Sequence, residues 1–381
     1  MKKILLIFLI VIAGITVIFL VQRKVKNTVL KSDKFEVQKK ADFYIVNSDY
    51  IKSYKLEGNK IKSLANEKHK IADYPNEMYG KAEFDNRYLV FSDDDGIGPS
   101  LGINRHIISI DFKTGKIKRT PTPNFGYSGG GYSDDYFYSY QATTEDGGLF
   151  SFDKNGKQVD SYQFDKSMLA APKFVGKDGK LFLVATHSAE NGSDDYENSL
   201  IVFDEKPKLK IAKTILLDDM PDYTYRPNAT EMVADSVYIT LTSMRNRASK
   251  EVIPDNRLMV VDTKNYAKSF IELSEDYPSD IFKSQDSKYL FITHPPSMLG
   301  KSVLTVYNLE DKSQYQIDVS GYSELTDPMD ASIISANQTK DNKLLILTHK
   351  VLLVYDLEKQ ELVSKLDVSE ENTEDIYIWT N

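Results

Sequence analysis

The chain has 381 residues, of which 41% are hydrophobic and 27% charged, a composition typical of a folded globular protein and not of extensive disorder. It contains no cysteine, which excludes disulfide bonds, thiolate metal sites and cysteine nucleophiles. After residue 26 there are 43 basic and 56 acidic residues, and this net charge of −13 argues against nucleic acid and anionic lipid as partners.

The first 26 residues have the pattern of a signal-anchor. Ile4–Val21 carries no charge, and basic residues flank it on both sides. A helix of that length spans about 27 Å, most of a hydrocarbon core. A cleaved signal peptide is the alternative, but Phe19–Gln22 makes a poor cleavage site. We therefore predict a single transmembrane helix within residues 1–26 and a charged stalk over residues 27–41.

The orientation of this segment decides where the remaining chain lies. A long folded domain after a single N-terminal span is usually exported, which places it at the surface of a bacterial cell membrane, on the extracytoplasmic side. A cytoplasmic domain hung from the membrane stays as the alternative, because both ends of the apolar run are basic.

A ten-residue pattern, an apolar run followed by a polar turn, occurs seven times in the rest of the chain. Successive copies start 41 to 58 residues apart, close to the length of one four-stranded propeller blade. The copies are Tyr50–Asn59, Ile107–Lys116, Gly148–Lys157, Ser199–Lys208, Arg257–Tyr266, Val303–Lys312 and Val351–Gln360.

The connections between the predicted strands alternate in length. Tight turns such as Asn155-Gly156 join the first strand of each unit to the second and the third to the fourth. All long loops should therefore emerge on one side of the disc, which we call the long-loop face. The strand Asp375–Thr380 should supply the missing inner strand of the first unit and close the ring. The predicted fold is all-β: a closed seven-bladed β-propeller of four-stranded blades over residues 42–381, preceded by one N-terminal transmembrane helix.

The repeated phrases SIDFKTGK, VVDTKN and VYDLEKQE, preceded by segments such as YLF, LFLVA and VYITL, resemble YVTN/WD40-like seven-bladed β-propellers. The resemblance covers nearly all of residues 42–381. It implies the fold, and propellers carry many unrelated activities.

Aromatic, arginine and histidine residues collect in segments predicted for the long-loop face. Amphipathic side chains of these types are common in recognition surfaces, although tyrosines packed between blades are an alternative explanation for some of them. The candidate ligand-binding residues are Tyr127, Tyr196, Tyr223, Tyr225, Arg226, Tyr277, Tyr322, His187 and His294.

These residues favour a non-catalytic binding or scaffolding module that engages a protein, peptide or cell-wall glycan. The alternative is a propeller hydrolase or lactonase acting on a small extracytoplasmic substrate. That enzyme would need a histidine, an arginine and a carboxylate converging at the mouth of the central channel.

Two acidic loops are candidates for calcium binding. Hard oxygen ligands in loops that contain glycine suit Ca²⁺, but neither loop has the spacing of an EF-hand, and solvated acidic loops are the alternative. The candidate ligands are Asp93, Asp94, Asp95, Asp194 and Asp195. No other cofactor is predicted.

The glycine-rich stretch Gly126–Tyr132 lacks the Lys-Ser/Thr and the helix of a phosphate-binding loop. We interpret it as an inner strand at the channel, where glycine lets backbones approach closely.

Overall fold

The computed structural model describes residues 33–72, 78–84, 86–93, 106–122, 127–142, 147–164, 168–188, 196–322, 325, 327–369 and 377–381. The chain divides into two units, residues 1–33 and residues 34–381. The predicted transmembrane segment, residues 1–26, lies outside the described residues. In the part that is described, no helix is long and apolar enough to cross a bilayer.

The second unit is built almost entirely from β-strands rich in Val, Ile, Leu, Phe and Tyr. The strands are β1 (Asp33–Lys34), β2 (Phe43–Val46), β3 (Tyr50–Glu57), β4 (Lys60–Lys68), β5 (Met78–Phe84), β6 (Tyr88–Asp93), β7 (His106–Asp111), β8 (Lys116–Pro121), β9 (Tyr127–Tyr132), β10 (Tyr136–Ala142), β11 (Gly147–Asp153), β12 (Gln158–Phe164), β13 (Leu169–Ala170), β14 (Lys173–Lys177), β15 (Lys180–Ser188), β16 (Tyr196–Asp204), β17 (Lys210–Leu216), β18 (Tyr223–Val233), β19 (Ser236–Asn246), β20 (Val252–Asp262), β21 (Lys268–Glu272), β22 (Ile281–Lys283), β23 (Tyr289–His294), β24 (Val303–Asn308), β25 (Gln314–Asp318), β26 (Ile333–Gln338), β27 (Lys343–Thr348), β28 (Val351–Asp356), β29 (Glu361–Asp367) and β30 (Tyr377–Thr380). A helix, α1 (Pro296–Leu299), and a 3₁₀ turn, Pro328–Ala331, interrupt two of the connections.

Among the described residues, the strands form six sheets. Five have the size of a blade, with the strand orders β30-β2-β3-β4, β1-β8-β7-β6-β5, β18-β19-β20-β21, β22-β23-β24-β25 and β26-β27-β28-β29. The sixth sheet has nine strands, in the order β12-β11-β10-β9-β14-β15-β16-β17, with β13 beside β15. The β-propeller fold is confirmed, but the prediction of seven separate four-stranded blades is wrong. The strands expected to form two further blades are hydrogen-bonded into one continuous sheet.

The nine-stranded sheet is continuous because β9 pairs with β14, and two glycines of β9 make this pairing sterically possible. Strands β9 and β14 pair in parallel, with Gly131 opposite Phe174. A Cβ atom on Gly131 would lie 2.1 Å from the Phe174 Cδ2, and one on Gly129 would lie 2.9 Å from the Phe174 Cε1. Because neither glycine has a side chain, the two inner strands can approach to hydrogen-bonding distance.

The C-terminal strand completes the sheet that begins with β2. β30 runs antiparallel to β2, with Ile378 opposite Ile45. Trp379 is 1% exposed and stacks on Phe112, with ring centroids 4.3 Å apart and an interplanar angle of 4°. The pairing covers the edge of β2, and the stacked rings join this sheet to the neighbouring β1-β8-β7-β6-β5 sheet.

Residues 34–41, which the sequence analysis assigns to a stalk, lie within the second unit. Phe35 is 1% exposed and packs edge-on against Tyr44 and Phe112. Its backbone N–H donates to the carbonyl of Gly115 at 3.0 Å. Phe35 therefore anchors this segment to the core, although most of the other residues of the segment are exposed or half-buried.

The inner strands of the sheets contact one another in sequence around the channel: β5, β9, β14, β18, β22, β26 and β30. Each inner strand begins after a connection on the long-loop face and ends at the opposite face of the propeller. Side chains near the start of an inner strand therefore lie at the channel mouth, and those two residues further along lie about 7 Å deeper.

Candidate functional site

A cavity of about 390 Å³ opens where the inner strands begin, and we call it the mouth cavity. Its charged and ionisable lining comes from four sheets: Lys81 of β5, Lys173 of β14, Asp280 just before β22, His294 at the end of β23, and Tyr377 of β30. The channel therefore collects groups that are up to 296 residues apart in the chain.

His294 is a structural residue of this mouth. It is 1% exposed, its Nδ1 lies 2.7 Å from the carbonyl oxygen of Asp276, and its Nε2 lies 2.8 Å from Thr305 Oγ1. A carbonyl can only accept, so Nδ1 carries the proton and Nε2 accepts from the threonine hydroxyl. Burial lowers the pKa of the imidazole, which keeps it neutral. Both ring nitrogens are occupied, and neither is available to take a proton from a substrate.

Deeper in the channel, Glu231 is shared by two lysines. Lys283 Nζ lies 3.3 Å from Glu231 Oε1, and Lys173 Nζ contacts Oε2. Burial opposes ionisation of Glu231, but the two ammonium groups outweigh it, so the pKa of this carboxyl is below its ordinary value. Lys283 also donates to the Met232 carbonyl at 3.2 Å and to the Tyr132 hydroxyl at 3.4 Å. These contacts form an ionic layer that links the inner strands β9, β14, β18 and β22.

Glu83 belongs to the same layer, but no lysine of the described structure is in direct contact with it. It accepts a hydrogen bond from Asn337 Nδ2 and is hydrogen-bonded to the Tyr377 hydroxyl. Burial raises the pKa of the Glu83 carboxyl to about 7. At neutral pH this group is therefore close to half protonated.

Asp280 is the carboxylate that lines the mouth cavity itself. Its side chain is accessible to water inside the cavity, although the ring of strands encloses it. This enclosure raises the pKa of the Asp280 carboxyl, while Lys81 and Lys173 act in the opposite direction.

A second depression, of about 250 Å³, lies on the long-loop face where β13, β15 and β16 meet β18 and β19. We call it the junction pocket, and its rim consists of Leu169, Tyr196, Arg226 and Arg245. Leu169 is 61% exposed and Tyr196 47% exposed. Within the described part of the chain, neither arginine forms an ion pair.

An irregularity in β18 positions one of these arginines. The register of β18 against β19 shifts on both sides of Pro227, which has no N–H to donate to the ladder. Arg226 precedes this proline and is exposed, whereas Tyr225 before it is 2% exposed. The bulge therefore directs the guanidinium outwards beside a buried ring.

The floor of the junction pocket is held by buried polar groups. Asp218, 8% exposed, accepts from the backbone N–H of Tyr225 at 2.7 Å and from that of Asn198 at 3.0 Å. Asn198 Nδ2 donates to the Tyr225 carbonyl at 2.7 Å and to Thr224 Oγ1 at 3.1 Å. Arg247 Nη2 lies 3.5 Å from Asp218 Oδ2. These bonds fix the two adjoining sheets relative to each other beneath the pocket.

The structure gathers Tyr196, Tyr225 and Arg226 of the predicted ligand-binding residues at the junction pocket, and it places His294 at the mouth cavity. The others lie elsewhere. His187 Nε2 is 3.4 Å from Ser199 Oγ, the Tyr277 N–H donates to the Asp255 carbonyl at 2.8 Å, and Tyr322 packs against a core cluster. Tyr223 pairs with Asn246, and Tyr127 pairs with Ala142 at the start of β9.

The candidate calcium ligands fall mostly outside the described residues. Asp93 ends β6, whereas Asp94, Asp95, Asp194 and Asp195 are not described. In the described ranges, no group of three or more acidic or histidine side chains could hold a metal ion. Calcium binding by these loops stays a prediction.

Sequence reasoning missed the charged groups of the channel: Lys81, Glu83, Lys173, Glu231, Asp280 and Lys283. In the sequence, each of these residues resembles an ordinary charged surface residue. They could have been identified by their position in or beside the first strand of a repeat unit, because the repeat places that strand at the channel.

No family model matches the chain, and no curated protein sequence matches it. Solved structures with a similar fold include the β-propeller domain of Cps50 (Swd1) from Myceliophteria thermophila, with a TM-score of 0.53 and 10% identity over 80% of this chain and 97% of that chain. Apo AztD from Citrobacter koseri has a TM-score of 0.51 and 12% identity, covering 88% and 97% of the two chains. The dihydro-heme d1 dehydrogenase NirN has a TM-score of 0.50 and 12% identity, covering 93% and 78%. At these identities the similarity concerns the fold alone, and the chain has the fold of a β-propeller.

Proposed function

We propose that this chain is a non-catalytic binding module that holds an acidic, partly apolar segment of a protein or peptide in the junction pocket. One observation carries the proposal: Arg226 and Arg245, without ion pairs in the described structure, flank an exposed tyrosine and an exposed leucine. Arginine and tyrosine are enriched among the residues that supply most of the energy of protein interfaces.

The size of the pocket favours a side chain over a free metabolite. Small-molecule sites usually enclose about 300–1,000 Å³, and the junction pocket encloses about 250 Å³. One aromatic or aliphatic side chain of a partner fits that space, packed against Leu169 and Tyr196.

The positive charge of the rim favours an acidic residue next to that side chain of the partner. Guanidinium groups bind carboxylates through two parallel hydrogen bonds, and a neutral glycan offers no such partner. Two arginines on the rim of a protein with a net charge of −8 therefore favour an acidic peptide over a neutral glycan.

The buried network under the pocket supports tight binding. Asp218 and Asn198 hold the floor through several hydrogen bonds, so little ordering is required when a ligand arrives. Preformed pockets retain more of their contact energy as affinity.

The hydrolase alternative receives less support from the described residues. The histidine that this alternative requires at the channel mouth is His294 in the described structure, and its two ring nitrogens are both engaged. No arginine lines the mouth cavity in the described structure. Export of the domain stays a prediction from the sequence.

The test is a selection of random displayed peptides against the full chain, followed by affinity measurement of the best peptide. We expect the selected peptides to place Asp or Glu next to an aromatic or aliphatic residue. The double variant Arg226→Glu/Arg245→Glu should lose about 100-fold or more in affinity, because two charged hydrogen-bonding groups are reversed.

A matched control separates local contacts from net charge. Lys60, the first residue of β4, and Lys208, in the turn between β16 and β17, are both exposed and lie away from the long-loop face. Lys60→Glu/Lys208→Glu makes the same change in net charge and should leave the affinity within about twofold. Equal losses in the two double variants, or no loss in either, would refute the proposal.

A further inference from the structure

A depression of about 900 Å³ lies on the face of the propeller opposite the long-loop face. It is formed where the β5–β6, β7–β8 and β26–β27 turns and the end of β3 meet residues 37–42, the segment that enters the fold. We call it the basic depression, because its described lining holds six basic side chains and two carboxylates: Lys39, Lys40, Lys55, Arg87, Lys113, Lys340, Asp42 and Asp341.

Four of the six basic side chains form no ion pair with any described residue. Arg87 is neutralised by Asp111, with two hydrogen bonds of 3.0 and 2.7 Å, and Lys55 lies 3.2 Å from Glu57. The other four are exposed lysines without a carboxylate within ion-pair distance: Lys39, Lys40, Lys113 and Lys340.

The two carboxylates of the lining are held by neutral groups. Asp42 Oδ2 accepts from the Leu56 N–H at 2.7 Å, and Asp341 Oδ1 accepts from the Thr339 hydroxyl at 2.6 Å. In the described lining, four unpaired lysines therefore remain against two carboxylates. The depression keeps an excess of positive charge on a chain whose net charge is −8, and such a concave positive surface attracts anions.

The wall formed by residues 37–42 is fixed before a ligand arrives. The Gln38 N–H donates to the Tyr44 hydroxyl at 3.0 Å, and the Ala41 N–H donates to the Gln38 carbonyl at 3.0 Å. From the C-terminus, the Asn381 N–H donates to the Asp42 carbonyl at 3.1 Å and its Nδ2 donates to the Ala41 carbonyl at 2.6 Å. The backbone that carries the two lysines of this segment therefore needs little ordering on binding.

We propose that the basic depression binds a small molecule that carries at least two phosphate groups. The unpaired lysines come from three separate segments, the entering segment, the β7–β8 turn and the β26–β27 turn, so they can contact anionic groups at different ends of one ligand. The proposal goes beyond the peptide-binding function and does not rest on it.

The side-chain types favour phosphate over carboxylate. Lysine binds phosphate as a point charge, whereas arginine matches a carboxylate through two parallel hydrogen bonds. The single arginine of the described lining, Arg87, already holds Asp111 in that way. The volume falls within the range of about 300–1,000 Å³ for small-molecule sites. Half-buried Val37 and Leu56 in the lining can contact the carbon skeleton of the ligand.

The experiment measures binding of defined probes to the full chain by isothermal titration, in buffer without divalent cations. The probes are fructose 1,6-bisphosphate and pyrophosphate, with two phosphate groups each, fructose 6-phosphate with one, and fructose with none. We expect at least one of the first two to bind, fructose 6-phosphate to bind at least tenfold more weakly than it, and fructose not to bind. Co-sedimentation with phosphatidylglycerol vesicles tests whether a lipid surface is the source of the phosphate instead.

Two double variants and a matched control locate the binding. Lys113→Gln/Lys340→Gln removes two ammonium groups from separate turns and should weaken binding at least tenfold. Lys39→Gln/Lys40→Gln should do the same from the entering segment, and it keeps the test valid if the first variant does not fold. Lys157→Gln/Lys208→Gln makes the same change in net charge at exposed residues in two turns of the nine-stranded sheet, and it should leave the affinity within about twofold.

The melting temperature of each variant verifies that it folds. The proposal is overturned if neither bisphosphate probe binds, if fructose 6-phosphate binds as tightly, if only the vesicles bind, or if the control variant loses as much affinity as the folded test variants. Binding of the selected acidic peptide should be unchanged in Lys113→Gln/Lys340→Gln, so failure of either proposal is distinguishable from failure of the other.

Discussion

Replacing Trp379 by alanine should destabilise the whole propeller, because this side chain fastens the closing strand. The indole is 1% exposed and stacks on Phe112 of the adjacent sheet at a centroid distance of 4.3 Å. The substitution removes this contact and leaves a cavity between the two sheets.

The expected loss is about 3–5 kcal/mol, the usual cost of truncating a buried aromatic residue to alanine. Native domains are stable by about 5–15 kcal/mol, so this is a large share of the total. Trp379→Phe keeps an aromatic ring against Phe112 and should cost about 1–2 kcal/mol.

Urea unfolding followed by circular dichroism gives the stability of each variant. Trp379 is the one tryptophan of the chain, so its fluorescence in the unmodified protein reports the closing strand separately from the sheets. The two signals should change together if closure and folding are one cooperative event. A Trp379→Ala variant with an unchanged midpoint, or tryptophan exposure well before loss of the sheets, would refute the reasoning.

Further variants test the channel, the glycine join and the pocket floor. The Glu83 carboxyl has a pKa of about 7 in the fold against an ordinary 4.5, so its contribution, about 3 kcal/mol, is present below pH 4.5 and is lost as the pH rises through 7. Glu83→Gln should flatten this part of the stability–pH curve measured by urea unfolding, and an unchanged curve would contradict the assignment. Gly131→Ala should destabilise the protein by about 1–3 kcal/mol or more, since the new methyl meets Phe174, whereas Gly321→Ala, with nothing within 4 Å, should be close to neutral in the same assay. Asp218→Ala should cost about 2–3 kcal/mol in stability and also weaken peptide binding, because it leaves two buried N–H donors without their acceptor; full affinity at full stability would show that the network does not support the pocket.

The repeat in the sequence predicts the strands well because burial on both faces requires dense apolar runs. Tyr50–Asn59 and Val351–Gln360 each contain a strand followed by a turn, as β3 and β28 show. The tight turns also follow from local chemistry, with Gly58 and Gly156 at positive φ. The number of sheets could not be predicted, because the β9–β14 pairing depends on how closely two neighbouring inner strands approach each other.

The candidate site was only partly predictable for a similar reason. Tyr196 and Arg226 were identified by residue type and by their place in long connections, and the structure brings them together. Arg245 and Leu169 complete the rim through contacts between adjacent sheets, which no local pattern encodes. The channel lysines Lys173 and Lys283 are separated from Glu231 by many residues, and the packing of neighbouring inner strands brings them together.

Site-directed photo-cross-linking tests the central claim, that the junction pocket is where a partner binds, most directly. A benzophenone side chain replaces Leu169 on the pocket rim in one variant and Lys208 in an exposed tight turn in another. Each is irradiated with the selected acidic peptide. We expect an adduct from position 169, abolished by Arg226→Glu/Arg245→Glu, and none from position 208. An adduct from position 208 of equal yield, or an adduct from position 169 that survives the arginine changes, would contradict the account.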